Sequence, residues 1–464
     1  MARGKKKESV LTPEEKLARA LVPEHEQPYP IPDNWCWTRI GSIAEVASGG
    51  TPSSAVSEYY DGGAIPWISP ADLSGYRDIY INGGAKNITA LGLEKSSARL
   101  LPKDTVCLSS RAPIGYVAIA SNPLCTNQGF KNFLPSVGYL PKYLYWYLKG
   151  NKELLESYAS GTTFLELSGS KAAMVELPLA PFAEQQRIVD RIESLFAKLD
   201  EAKEKAQTVL DSFETRKAAI LHKAFTGELT AKWRAEHGIE MDSWTNIPVN
   251  QLCKPRAGYA FDSKKFTDSG YQVVRMGNLY GGTLDLLRNP VFISPDDLDE
   301  TILKRSLIND GDILITLTGT KYKRDYGYAV VVKNVANLLV NQRILCLTPH
   351  NNVVTNYILY YFQSDIFRDI FFSNETGGVN QGNVSSRFVE SIEIAVPSYP
   401  EQGELVHILD SLFAKEQQAK EAAEAVLKKI DLIKKSILTR AFRGELGTND
   451  PADESATELL LKSF

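Results

Sequence analysis

The sequence predicts an α+β protein in which one plan, a mixed domain followed by a long helix, is written twice. Three observations carry this. First, SLFAK occurs at residues 194–198 and again at 411–415, an offset of 217 positions. Second, the matching at that offset continues without a gap. Glu184-Gln185 meets Glu401-Gln402, Ile220-Leu221 meets Ile437-Leu438, Ala224-Phe225 meets Ala441-Phe442, and Gly227-Glu228-Leu229 meets Gly444-Glu445-Leu446. A helix demands such gap-free matching, because one inserted residue turns every later side chain by about 100°. Third, the segments before these helices combine apolar strands, short helical runs and Gly/Asn turns.

Taken in order, residues 1–30 form a polar, proline-containing lead-in, and 31–180 form the first mixed domain. Its apolar strands lead into an aromatic helical stretch, YLYWYL, matched later by YILYYF. Apolar residues run all round that stretch, which makes it core. The first long helix covers 181–229. Its apolar residues Ile188, Ile192, Leu195, Leu199, Ala202, Ala206, Val209 and Phe213 alternate steps of four and three, the period of a coiled-coil seam. A linker at 230–243 leads to the second mixed domain, 244–396. The second long helix, 397–446, repeats the seam as Leu405, Leu409, Leu412, Glu416, Ala419, Ala423, Val426 and Ile430. Lys217 and Lys434 interrupt the two seams at matched places. Prolines precede each helix and Gly227 and Gly444 follow, as helix boundaries should. Each helix spans about 40 residues, or roughly 60 Å. Residues 447–464 form a tail with a short terminal helix.

Bulk properties exclude several classes. No apolar run approaches the roughly 18 residues of a membrane span, and the basic start MARGKKKESV lacks the apolar stretch of a secretory signal. The 5 cysteines are scattered without a C-x-x-C pair, which predicts neither zinc site nor disulfide framework and a reducing, cytoplasmic setting. There is no phosphate loop, dinucleotide fingerprint or nucleophile elbow. Asp310 and Asp312 flank a glycine and are open to a reading as paired carboxylates, but the plainer reading is ordinary turn chemistry. No catalytic residue or metal ligand is assigned. A net charge of −4 does not announce a nucleic-acid binder, so any such role rests on local basic surfaces.

The polar loops supply them. TLTGTKYKRDYGY, residues 316–328, gathers Thr318, Thr320, Lys321, Tyr322, Lys323, Arg324 and Tyr326. Cations neutralise phosphates and arginine reads guanine edges. The equivalent stretch of the first half, LSSRAPIGY, holds Ser109, Ser110, Arg111 and Tyr116. A solvated hairpin is the plain alternative; two equivalent polar loops, each with an arginine, favour binding. The turn ASGGTPSS offers Gly50 and Thr51 for phosphate, and its counterpart AGYAFDSKK adds Lys264 and Lys265. Lys131 and Arg343 follow a repeated Asn-Gln pair, which either meets adenine or fixes a turn. Thr162 lies in a glycine loop, SGTT, matched by GGVN.

The repeated pattern P-x-x-E-Q…SLFAK…A-F-x-G-E-L resembles the conserved regions of the specificity (S) subunit of type I restriction-modification systems. The resemblance runs from about Trp35 to Leu446. It implies two target recognition domains, each reading half of a split site on double-stranded DNA, and an antiparallel coiled-coil spacer formed by the long helices. It further implies docking of two methyltransferase (modification) subunits and of ATP-dependent restriction subunits. S-adenosylmethionine, ATP and Mg would then belong to those partners, with no cofactor in this chain and no membrane. Glu416 departs from an apolar seam, and weaker packing is expected there. A different class remains open, a coiled-coil scaffold whose globular domains bind proteins. A fused methyltransferase is disfavoured, since neither N-P-P-Y nor D-P-P-Y occurs.

Overall fold

The structure, a computed structural model, describes residues 11–161, 165–378 and 380–464. Contacts divide the chain into two units, one of residues up to Lys205 together with Ala425–Phe464, the other Ala206–Glu424. Each unit therefore combines one mixed domain with a stretch of both long helices.

In the first unit the strands are β1 (Cys36–Arg39), β2 (Val46–Ser48), β3 (Ile65–Ile68), β4 (Tyr80–Ile81), β5 (Lys86–Ile88), β6 (Val106–Ser110), β7 (Ile114–Ala120), β8 (Cys125–Thr126), β9 (Phe130–Phe133) and β10 (Glu176–Leu179). They build a sheet β2-β9-β6-β7-β4 and a smaller one, β5-β3-β8. β1 and β10 pair antiparallel and close the domain on itself. The second unit holds β11 (Thr245–Pro248), β12 (Cys253–Ala257), β13 (Phe266–Thr267), β14 (Tyr271–Val274), β15 (Phe292–Ile293), β16 (Ile313–Thr316), β17 (Thr318–Gly319), β18 (Ala329–Val331), β19 (Leu338–Val340), β20 (Ile344–Pro349), β21 (Gly382–Asn383) and β22 (Glu393–Val396). Their orders are β12-β20-β16-β18 and β13-β15-β14-β19, with a ribbon β17-β21 and a closing pair β11-β22.

The two domains share a common core of strands, to which the first adds β4 and the second β13 and the β17-β21 ribbon. β2-β9-β6-β7 corresponds to β12-β20-β16-β18, all antiparallel, and β5-β3-β8 to β15-β14-β19 with the same single parallel pair. The central strands are buried on both faces, and side chains alternate between two apolar layers as a period of two requires. Val106 and Leu108 join the helix-side core while Cys107 joins the other; Ile313 and Ile315 are split from Leu314 in the same way.

The helix-side cores are built on the repeated aromatic stretches. Helix α1 (Pro141–Gly150) buries Tyr143 and Tyr147 against Phe442, at centroid distances of 5.1 and 5.0 Å. Helices α2 (Phe182–Asp211) and α3 (Phe213–Phe225) make up the first long segment. Phe225 sits 5.5 and 5.2 Å from Tyr357 and Tyr361 of α4 (Thr355–Phe362), the same contact in the second unit. Helix α5 (Asp365–Ser373) follows, and α6 (Tyr399–Ala441) is the second long helix.

Within each unit the long helices run antiparallel. In the first, Glu184 meets Thr448 and Asn449, whereas Lys434 donates to Asp200 and lies over Phe196. In the second, Phe213 faces Lys420, Arg216 faces Glu416 and Lys217 lies over Phe413, so one helix advances as the other retreats. Both long segments end at a left-handed glycine, Gly227 (φ +78°) and Gly444 (φ +74°), and in each the next amide reaches five residues back. Only glycine takes that conformation without steric cost.

Two expectations are corrected. The first long helix is not continuous: it breaks at Ser212, whose hydroxyl donates to the Thr208 carbonyl at 2.6 Å while Arg216 donates to the Val209 carbonyl. Side-chain donors thus compete with the backbone for the carbonyls of that turn. Glu416 is not a bare charge in the seam, since the Arg216 guanidinium pairs with it at 2.8 Å. The linker takes part in the packing. Its short helix Ala231–His237 carries Arg234, which reaches a buried carboxylate described below. The lead-in forms a helix, Pro13–Ala20, and the tail's predicted helix is α7 (Ala456–Ser463), whose Leu460 is fully buried.

Candidate nucleic-acid interface

The domains that carry the candidate loops are each anchored by a buried clamp repeated in both units. Glu184 and Glu401, 217 positions apart, are both fully buried at the start of a long helix. Glu184 accepts from the Trp35 indole at 2.7 Å, from Thr448 at 3.1 Å and from Asn449 at 2.9 Å. Glu401 accepts from Arg234 at 2.7 Å, Thr230 at 2.8 Å and the Trp244 indole at 3.1 Å. The adjoining Gln185 and Gln402 accept from the amides of Leu140 and Val354 and donate to the carbonyls of Ala180 and Pro397. The repeated Glu-Gln is therefore a scaffold device, fixing the domain to one long helix and to the segment that follows the other.

In the first unit the β6–β7 hairpin presents Arg111 at its tip. Ser109 and Ser110, assigned to the interface from sequence, are corrected to supports, for both are fully buried. Ser109 donates to the Pro113 carbonyl at 2.7 Å and accepts from the Tyr116 amide, and Ser110 donates to the Gly129 carbonyl. Arg111 is half-buried, 3.8 Å from Glu166. Lys131 on β9 shares that carboxylate's field. Burial holds its ammonium below the usual lysine range, opposed by Glu166 and reinforced by Arg111. Two cations thus share one anion. Gly50 is also corrected: its amide donates to the Thr126 carbonyl, and a Cβ there would meet Ser97 at 2.2 Å, so the turn faces protein rather than phosphate. Thr51 is exposed and hydrogen-bonded to the exposed Gln128. Tyr116 packs half-buried on the core layer around Leu108's neighbour Cys107. Thr162 lies outside the described residues.

In the second unit the 316–328 loop is clamped from behind by α5 and the segment after it. Arg368 donates to the carbonyls of Arg324 at 2.7 Å and Tyr326 at 3.3 Å, and lies over the rings of Tyr328 and Phe372. Glu375 accepts from the Tyr326 hydroxyl at 2.7 Å and the Tyr322 amide at 3.3 Å. Tyr326 is therefore core, 1% exposed, which corrects its assignment. Thr318 is likewise buried, bonded to the Met276 sulfur, and supports the loop. The Thr320 amide donates to Asp325, and Lys321 donates to the Gly377 carbonyl. Tyr322 and Arg324 adopt left-handed backbone, φ +66° and +51°, uncommon for residues with a Cβ. That conformation turns Tyr322 outward, 80% exposed. Arg324 is exposed but already engaged by Asp369 at 2.9 Å and by the Phe372 ring. Lys323 and Lys264 are exposed, while Lys265 pairs with Asp297 at 2.8 Å.

Arg343 stands differently. It lines a cleft of about 420 Å³ with Thr318, Thr320 and Tyr280, and an adjoining one of about 460 Å³ with Arg275 and Arg288. Among the described residues, none of these three arginines forms an ion pair with a carboxylate. The clefts present guanidinium, amide and hydroxyl groups, the donors that hold phosphates and base edges. Arg275, Arg288 and Tyr280 were not singled out in the sequence. They come from a turn and a loop around β14 and β15, and only tertiary structure brings them to Arg343. At the place after the equivalent strand of the first unit stands Ser69, bonded to Asp72, so the scaffold is shared and the loop chemistry is not. The repeated Asn-Gln pair divides its roles: the Asn127 and Asn341 side chains accept from the amides two residues on, at 2.8 and 3.4 Å, and fix a turn, while Gln128 and Gln342 are exposed. Asp312 is buried and saturated by Arg256, Thr348 and the Asn309 amide, so it forms no carboxylate pair with Asp310.

A family model described as the type I restriction modification DNA specificity domain matches residues 32–210 and 241–428. The chain belongs to this specificity-subunit family. It is 46% identical over 183 residues to the type I restriction enzyme MjaIX specificity subunit of Methanocaldococcus jannaschii, a match covering 39% of this chain and 42% of that protein. The chain thus aligns with less than half of that relative's length. It is 24% identical over 435 residues to the EcoKI specificity subunit of Escherichia coli, covering 90% of each. The HsdS subunit from Thermoanaerobacter tengcongensis has the same fold, with a TM-score of 0.65 at 17% identity, covering 90% of this chain and 99% of that one. The specificity-subunit fold accounts for the doubled architecture. No helix among the described residues is long and apolar enough to cross a membrane.

Proposed function

We propose that this specificity subunit reads a bipartite site on double-stranded DNA, one half per unit, and has no catalytic activity of its own. One observation carries the reading: two domains with the same core strand order, each fixed by an equivalent buried Glu-Gln clamp, present different polar loops. One scaffold with two loop sets suits one kind of task on two targets. In the second unit the reading surface is the arginine cleft of Arg275, Arg288 and Arg343 with the clamped 320–328 loop. In the first it is Arg111, Thr51 and Gln128, with the buried Lys131 behind Arg111 adding its charge. Phosphate contacts set register and side chains at base edges set sequence. Adenine methylation and ATP-dependent cleavage fall to docked methyltransferase and restriction subunits, which carry S-adenosylmethionine, ATP and Mg. A cytoplasmic location follows from that role.

The test is to co-express the chain with a type I methyltransferase subunit from its own source and map methylated adenines across the host genome. A single two-part motif is expected. Methylation with no motif, or with an uninterrupted one, would sink the reading.

A further inference from the structure

The internal repeat creates a hazard as well as a scaffold. Contacts that join each domain to the long helices are copied between the units. Phe442 on Tyr143 and Tyr147 is repeated as Phe225 on Tyr357 and Tyr361. Lys434 over Phe196 is repeated as Lys217 over Phe413. The end of either long helix therefore carries the groups that the other's domain needs. Two copies of the chain could exchange partners, first long helix against first and second against second, and keep these contacts. Arg234 would still find a buried carboxylate, because Glu184 stands where Glu401 does in the repeat.

Arg216 and Glu416 break this equivalence. Their repeat counterparts, 217 positions away, are Ile433 and Leu199. Within the chain the guanidinium meets the carboxylate at 2.8 Å, both partly buried. In the exchanged pairing Arg216 would face Leu199 of the second copy, and Glu416 would face Ile433. Arg216 would then keep only the Ser212 hydroxyl and Val209 carbonyl of its own helix, and Glu416 would lose its cation, so the exchanged pairing gives up a partly buried ion pair and gains none in return. Polar residues at coiled-coil seams select partner and register by this means.

We propose that the Arg216–Glu416 pair is a partner-selection lock that favours pairing of the two long helices within one chain over exchange with a second copy. The test uses the full chain, unfolded and refolded at micromolar concentration, with mass read by light scattering after gel filtration. The native chain is expected to refold to a single species of 51.4 kDa. The double variant Arg216→Ile, Glu416→Leu makes the two seams alike and is expected to place a substantial share, at least several-fold more than the native chain, in a species of twice that mass. Arg216→Glu sets two carboxylates against each other only in the intrachain pairing and is expected to shift mass the same way, which serves if the apolar variant precipitates. The reversed pair, Arg216→Glu with Glu416→Arg, is expected to return the chain to the single species. Refolding of the soluble variants to the single mass as completely as the native chain, or exchange by the reversed pair, would overturn the proposal.

Discussion

At the scale of single residues, the structure re-ranks the cations. Arg324 was conspicuous in the sequence because it sits among lysines and tyrosines, yet Asp369 and Phe372 already engage its guanidinium. Arg343 has no carboxylate partner among the described residues and faces two clefts. We expect Arg343→Ala to weaken reading of one half-site by about 1–3 kcal/mol if it meets a base edge, and Arg324→Ala to cost less. Binding of the assembled methyltransferase to duplexes with one half scrambled would check this; equal losses on both halves would refute it. Lys131 gives a prediction of opposite sign for stability. Its charged form is disfavoured by burial, so Lys131→Met should raise folding stability by about 0.5–2 kcal/mol while weakening the other half-site. Thermal melts and the same binding assay read the two effects, and a destabilised variant would show that Lys131 is a structural cation. Serines 109 and 110 and Tyr326 misled for a common reason. A hydroxyl in a polar loop looks available in sequence, and only the fold reveals that it is spent on a neighbouring carbonyl or carboxylate.

At the scale of elements, the long helices were legible because a 3.5-residue period and gap-free repetition are local properties of the chain. The break at Ser212 was not, since it depends on how Arg216 reaches back to the Val209 carbonyl across the turn. Nor was the pairing of Glu416, whose partner lies 200 residues away. The loop clamp is of the same kind: nothing in the sequence of α5 announces that Arg368 holds the 320–328 loop. Burial lowers the pKa of that guanidinium, reinforced by the Arg324 charge and countered by the Tyr328 phenol, Asp365 and Asp369. Truncating Arg368→Ala frees two carbonyls and two aromatic rings in the loop. It should relax discrimination at one half-site and raise hydrogen exchange of amides 320–328, leaving the other half unchanged. Exchange unaltered in that loop would remove Arg368 from this role. The buried Glu-Gln elements differ in charge. Glu401 faces a cation and Glu184 only neutral donors. Glu401→Ala leaves Arg234 buried without its partner and should cost about 3–5 kcal/mol, against about 1–3 kcal/mol for Glu184→Ala. Denaturant melts would rank them, and equal losses would mean that Arg234 finds water instead.

At the scale of the whole molecule, each domain closes on itself. β1 pairs with β10 and β11 with β22, so entry and exit lie side by side in each. The clamp sits just outside these pairs, on Trp35 and Glu184 in the first unit. This makes a domain replaceable, provided the replacement keeps the clamp. Its boundaries should fall between Trp35 and Glu184, where the chain makes the closing strand pair and nothing of the helix seam is touched. A chain whose residues 36–179 come from another family member should fold and methylate a site in which one half is new, while the other half and the gap are retained. Retention follows because the second unit, Ala206–Glu424, supplies its own strands, loop clamp and Arg343 cleft from residues that the exchange leaves in place. Moving the upstream boundary to remove Trp35, by contrast, leaves Glu184 without one of its three donors and should lower stability by about 1–3 kcal/mol before any effect on recognition. Genome-wide methylation mapping distinguishes the outcomes. A change in both halves, or in the gap, would mean that the two units do not read independently.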